Sequence, residues 1–221
     1  MVTDVMLDTG LGNRERGAVV ADVLLAPWAE PAPPPYRGRL LTAADLAALP
    51  DDGWLYELVA GHLMRMPPPK ERHGYLQSEI GGTLRAYVKP RGLGRVYVGR
   101  TGFDLTLPGE PVATVLGADV AFLRAERVPP ENQDGDRYVA GPPDLAVEIA
   151  APSQLQPEMG AKAWLWLQRG TRFVWVVWPT RRQVDVWTSG QEVPMTLNIG
   201  DTLDGADVLP GFTYALADLF A

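Results

Sequence analysis

No cysteine occurs among the 221 residues, so neither a disulfide framework nor a thiolate metal site is open to this chain. Histidine is nearly as scarce, with His62 and His73 alone. Two imidazoles argue against a histidine-built zinc centre. Any metal would be held by carboxylates, which suit Mg²⁺ or Mn²⁺. Positive charge is short as well: 20 Lys and Arg stand against 27 Asp and Glu, a formal net charge of -7. That argues against a general nucleic-acid coat protein, whose footprint is basic, but leaves room for a local basic groove. No apolar run approaches the roughly 18 residues of a membrane span. "AVVADVLLA" (residues 18–26) carries Asp22 and follows mixed charges, unlike a signal peptide. The expectation is a soluble cytoplasmic protein.

What is present is an ordinary globular composition, 46% hydrophobic and 21% charged. The length suits one α/β domain or at most two small ones. Residues 1–38 read as a proline-rich N-terminal extension ("APWAEPAPPPYRG"), with a short helix around Arg14 to Leu25. The domain spans 39–221. "LTAADLAALP" predicts a short helix capped by Thr42 and stopped by Pro50. "WLYELVAGHLMRM" reads as a hairpin turning at Ala60-Gly61. Leu76, Ile80, Leu84 and Val88 recur at helical spacing, with Gly81 and Gly82 signalling close packing. Strand-like runs follow in "GRVYVG", "FDLTL", "ADVAFL" and "DLAVEIA". A helix over about 154–169 leads into "FVWVVW" and "QVDVW", and "LPGFTYALADLF" closes on a short helix. This order predicts a mixed α/β sheet flanked by helices.

Several charges interrupt apolar patterns. In "DLAVEIA", Glu148 shares a face with Ala146 and Ala150, whose small side chains leave space beside it. Asp119 lies on another strand suited to burial, and Glu57 sits inside the hairpin's alternation. Leu155, Met159, Lys162 and Trp166 form one stripe of the helix that follows the Glu148 strand. Lys162 can therefore reach Glu148 and Asp119. Clustered carboxylates repel unless a cation compensates. Taken singly, Glu57 reads equally as a surface residue, Lys162 as a snorkelling one, and Asp144, after Pro142-Pro143, as a turn residue. His73 reads as solvated or capping and His62 as structural.

These segments, in this order, resemble the Uma2 family within the PD-(D/E)XK nuclease superfamily. The pieces are "YELVAGHLMRMPPPKERH", "ADVAFL", "GPPDLAVEIAAPS", "KAWLWLQRG", "FVWVVWP" and "LPGFTYALADLF". The resemblance implies a restriction-endonuclease-like fold with an added N-terminal hairpin and extension. Glu57 matches the family's hairpin glutamate, Asp119 its strand aspartate, and Glu148 its second strand acid. The superfamily lysine two residues after that acid is replaced here by Ala150, and Lys162 matches the family's relocated helix lysine. Pro143-Asp144 imitates the superfamily's "PD", but Asp144 shares a strand with Glu148, so Asp119 is preferred. Ala118, Ala151, Trp166, Phe173 and Trp178 depart from the family pattern beside these positions.

The resemblance implies a metal-dependent endonuclease acting on nucleic acid, with DNA the expected substrate. Asp119 and Glu148 would hold Mg²⁺ or Mn²⁺, Lys162 would position or deprotonate water or contact the phosphate, and Glu57 would be an accessory acid. A homodimer is expected on the same ground. The phosphate-facing region is expected around Arg65, Lys70, Arg72, Arg85, Lys89, Arg91 and Arg95. The alternative is a catalytically silent interaction protein in which Glu148 and Lys162 form a buried structural pair. Convergence of Asp119, Glu148 and Lys162 on an accessible cleft would favour the enzyme. A sealed pair without Asp119 would favour the alternative.

Overall fold

The proline-rich segment supplies the edge of the sheet. In the computed structural model, which describes residues 30–31, 33–130 and 137–221, β1 (Glu30–Pro31) pairs with Arg65 and Met64. The helix expected around Arg14 to Leu25 lies outside the described residues. α1 (Ala43–Ala47) starts where Thr42 can cap it. The Thr42 hydroxyl accepts the Asp45 N–H at 3.1 Å, and the Asp45 carboxylate accepts the Thr42 N–H at 2.8 Å. The hairpin β2 (Leu55–Val59) and β3 (His62–Met66) turns at Ala60-Gly61 as its alternation requires.

α2 (Glu71–Val88) lays Leu76, Ile80, Leu84 and Val88 on the sheet. Gly81 permits that approach, since an added Cβ would lie 2.6 Å from Val98 Cγ1. β4 (Gly94–Asp104) carries "GRVYVG" on into the first two residues of "FDLTL" as one long strand with an irregularity between Val98 and Thr101, and residues 105–107 lie beyond it. β5 (Val115–Arg124), β6 (Val139–Ala140) and β7 (Leu145–Ile149) follow. β7 runs parallel to β8 (Phe173–Trp178), which demands a crossover, and α3 (Gln156–Gln168) is that crossover. All six residues of β8 are buried, as an unbroken apolar strand covered on both faces should be. The chain finishes with β9 (Gln183–Thr188), β10 (Met195–Leu197), the pair β11 (Thr202–Asp204) and β12 (Thr213–Ala215), and α4 (Leu216–Leu219).

Among the described residues the main sheet has ten strands, in the order β1-β3-β2-β5-β7-β8-β9-β10, with β4 paired to β5 and β6. It is the mixed α/β sheet flanked by helices that the sequence pattern predicts. α2 and α4 cover one face, through Val120, Phe122, Val147 and Trp175. α3 covers the other, packing Met159, Ala163 and Trp166 on Ala121, Ala146 and Val174. No described helix is long and apolar enough to cross a membrane.

Candidate active site

The site lies where the sheet forks. β4 pairs with β5 along nearly its whole length. The opposite edge of β5 is shared: β2 meets it only at Leu58↔Val115, and β7 only from Val120 to Phe122. Among the described residues, 116–119 of β5 therefore face no strand on that edge. Backbone N–H groups released at a fork must find partners, and here carboxylates supply them. Glu57 Oε1 accepts the Gly117 N–H at 3.0 Å, and Asp119 Oδ2 accepts the Ile149 N–H at 2.8 Å. The two acids thus replace the missing ladder bonds.

α3 brings the base. Lys162 Nζ donates to Glu148 Oε2 at 3.0 Å and to Glu57 Oε1 at 3.1 Å. One turn on, Trp166 Nε1 donates to Glu148 Oε1 at 2.8 Å. The four residues predicted from sequence therefore stand together, with exposures of 2% for Glu57, 1% for Asp119, 2% for Glu148 and 3% for Lys162. Of the predicted stripe, only Leu155 points away: it caps the helix and is 60% exposed.

Three residues complete the cluster that sequence reasoning did not place there. Arg100 Nη2 donates to Glu57 Oε1 at 3.1 Å, and its Nη1 lies 4.0 Å from Asp119 Oδ1. His73 Nε2 lies 3.1 Å from Asp119 Oδ2. Gln77 Nε2 donates to the Asp119 carbonyl oxygen at 2.6 Å. Two weak signals pointed this way: His73 and Gln77 are four apart on a helix, and a glycine precedes Arg100 inside a strand, the mark of a bulge. Asp144 is elsewhere. It accepts the Arg124 N–H at 2.9 Å and faces Arg127 Nη1 at 3.2 Å.

Burial works against every charge in the cluster, and the neighbours decide each outcome. For Glu57, the opposing burial is outweighed by Lys162 and Arg100, and its pKa falls below the usual carboxylate range. For Asp119 the same burial is outweighed by the His73 hydrogen bond and the Arg100 charge, and its pKa also falls. Glu148 goes the other way: burial, reinforced by the Asp119 and Glu57 charges, overcomes Lys162 and raises it to about 7. Lys162 overcomes burial through Glu148 and Glu57, so its pKa rises and it stays protonated.

Donor chemistry suits a hard cation. Among the described residues, Glu57 Oε2 and Asp119 Oδ1 are buried oxygens without a hydrogen-bond partner. Both oxygens of Glu148 are engaged, and it can offer a cation only their remaining lone pairs. Among the described residues no three His, Asp or Glu side chains form a ready-made metal cage. A bound ion would therefore keep much of its water, as Mg²⁺ prefers.

A groove runs beside this cluster between α2 and β4, lined by Gln77 and Gly99 but by none of the four predicted residues. One hollow of about 400 Å³ is walled by Gln77, Ser78, Arg85 and Gly99. It continues past Arg85 and Val96 into a second, of about 300 Å³, bearing Lys89 and Arg95. Of the seven cations expected to face phosphate, Arg85, Lys89 and Arg95 line this groove. Arg65, Arg72 and Arg91 instead lie over the rings of Trp54, Tyr75 and Tyr87, and Lys70 is the exposed N-cap residue of α2.

The family described as "Uma2: Putative restriction endonuclease" matches residues 43–217. The chain belongs to the Uma2 family. A crystal structure of "a putative nuclease belonging to DUF820" from Anabaena variabilis ATCC 29413 is similar, with a TM-score of 0.67 and 22% identity. The likeness covers 81% of this chain and 97% of that one. It establishes the nuclease-like fold expected for an Uma2 protein. No match to the chain was found among curated proteins.

Proposed function

We propose that this Uma2 protein is a cytoplasmic, divalent-metal-dependent endonuclease that hydrolyses the phosphodiester bonds of DNA. The observation carrying this reading is the pair of buried, unpartnered carboxylate oxygens, Glu57 Oε2 and Asp119 Oδ1, beside a charged lysine. Burying such oxygens without a partner is costly, and a cation removes the cost. Mg²⁺ or Mn²⁺, when bound, would activate water and offset charge growing on the phosphate. Asp119 Oδ1 and Glu57 Oε2 would hold it, with Glu148 as the third acid. Lys162 stays protonated at neutral pH, so it donates a hydrogen bond to the attacking water or to a phosphate oxygen and does not take a proton. The α2–β4 groove would guide the strand by its cations, against the acidic remainder of the surface. A homodimer would offer one cluster to each strand of a duplex.

The direct test is supercoiled plasmid incubated with the protein. Nicking is expected with Mg²⁺ or Mn²⁺ and none with a chelator. Cleavage that persists in chelator would overturn the metal assignment.

The raised pKa of Glu148 has a consequence. Below pH 7 the free protein carries a proton on Glu148, whose folded pKa is about 7, and a cation must expel it. Mn²⁺ affinity should therefore be flat above pH 7 and fall about tenfold per unit below it. Calorimetric titration at pH 6 and 8 checks this, and equal affinities would remove Glu148 from the donor set.

The groove has its own test. Arg85→Glu is expected to weaken binding of a DNA duplex about tenfold or more at low salt and to flatten the salt dependence, by loss of a phosphate contact. Fluorescence anisotropy across a salt series measures both, and an unchanged slope would place the DNA elsewhere.

One observation favours a second reading. The Glu57, Asp119, Glu148 and Lys162 side chains are almost entirely sealed from solvent, as a structural ion-pair core would be. In that reading the protein would bind no divalent ion, and the plasmid would stay intact in every buffer.

A further inference from the structure

One cation enters the cluster from an irregular stretch of strand. β4 loses register between Val98 and Thr101, and within that bulge Gly99 and Arg100 adopt left-handed φ values of 75° and 60°. Glycine takes this conformation freely; arginine does so only against steric resistance. The strained turn aims Arg100 inward, leaving its side chain 15% exposed. The bulge presses on β5, where an added Cβ on Gly117 would lie 2.9 Å from the Arg100 carbonyl oxygen.

The guanidinium reaches the cluster without satisfying it. Arg100 Nη2 has Glu57 Oε1 and Met66 Sδ as its acceptors, each at 3.1 Å. Its Nη1 stands 4.0 Å from Asp119 Oδ1, too far for a hydrogen bond, and both Asp119 Oδ1 and Glu57 Oε2 remain without a partner. A residue with five N–H donors thus supplies charge where two carboxylates still lack ligands. It stands between the two acids that would hold a divalent ion. Its chain neighbours face the groove: a Cβ on Gly99 would meet nothing within 4 Å, and Val98 is 52% exposed.

We propose that Arg100 is a resident counter-ion that holds the cation's place in the resting protein. A guanidinium and a divalent ion repel each other at the same pair of carboxylates, so entry of one expels the other. The expelled guanidinium turns toward the groove, where a phosphate of the substrate strand would receive it. Arg100 is in this sense a positioning residue that couples metal entry to strand binding. The inference rests on the metal-dependent reading above.

The test is Mn²⁺ titration, by calorimetry and by the loss of the free-ion paramagnetic signal, on the full chain and two variants. Arg100→Gly removes the guanidinium and suits the left-handed backbone. Arg100→Gln keeps a hydrogen-bonding side chain without the charge. Each variant is expected to bind Mn²⁺ about tenfold more tightly than wild type, within the usual range of coupling between sites. A merely structural arginine would give the opposite, since its loss would loosen the cluster. Equal or weaker affinity in both variants, with wild type binding, overturns this inference alone. No binding in any of the three overturns it together with the metal-dependent reading.

Discussion

Asp119→Asn is expected to slow cleavage by about a thousandfold or more, the scale of losing one preorganised electrostatic partner of the reaction. The substitution is chosen because the fold can keep its bonds. Asp119 Oδ2 accepts the Ile149 N–H that the sheet fork leaves unpaired, and an asparagine oxygen can accept it equally. The amide nitrogen must then stand where Asp119 Oδ1 stands, turning two N–H donors toward the cation's place. Charge and a ligand oxygen are lost together, while strand pairing is retained. Plasmid cleavage and thermal melting on one preparation separate the two effects. An active variant with a normal melt would remove Asp119 from the chemistry. A variant that fails to fold would show that its role at the fork is structural first.

Lys162→Met should be the most damaging single change to stability, costing about 3–5 kcal/mol, as expected when one partner of a buried ion pair is removed. Methionine fills the space but leaves Glu57 and Glu148 without the Nζ that sits 3.1 Å and 3.0 Å from them. For a chain of this size that loss corresponds to a fall of roughly 6–20 °C in melting temperature. The loss should depend on pH. Glu148 titrates at about 7 even with Lys162 present. Removing the lysine, whose charge lowers Glu148, moves that pKa further up, so the variant's deficit should be smallest at pH 6 and grow as pH rises past 7. Adding Glu148→Leu should recover part of the deficit, because removing both partners of a buried pair is far less costly than removing one. A Lys162→Met protein that melts like wild type would show that the lysine is not the cluster's main counter-charge.

The acids and the lysine were legible because each breaks a period. Glu57 and Glu148 fall inside apolar strand runs, and Lys162 interrupts an apolar helical stripe; singly Glu57 reads equally as a surface residue and Lys162 as a snorkelling one, and only together do the three point inward. The small neighbours of Glu148 marked the face that has room for α3. Arg100 was not legible in the same way. Its inward aim depends on two consecutive left-handed residues, and without the bulge strict alternation assigns it no partner. The same break made "GRVYVG" and "FDLTL" read as two short strands, where β4 is one strand with a bulge. His73 needed the tertiary fold, since only the packing of α2 against β4 and β5 brings its Nε2 to Asp119. The short strands β6, β10, β11 and β12 carry two or three residues each, too few for a period to show.

The acidic surface and the nuclease reading are compatible because the cations that matter are local. Arg85, Lys89 and Arg95 line two adjoining hollows, the first of which reaches Gly99, and the next residue, Arg100, touches Glu57. On the proposed reading, strand approach and metal chemistry would meet at one residue.

The central claim is that Glu57, Asp119 and Glu148 form a cation site. Calorimetric titration of Mn²⁺ into the wild-type protein at pH 8, beside Glu148→Ala, tests it most directly. The account predicts one ion bound per chain by wild type, and binding weakened at least about tenfold in the variant, the scale for loss of a ligand-shell group. Wild type that takes up no Mn²⁺ at millimolar concentration would contradict it, and the four residues would then be the ion-paired core of a nuclease fold without the chemistry.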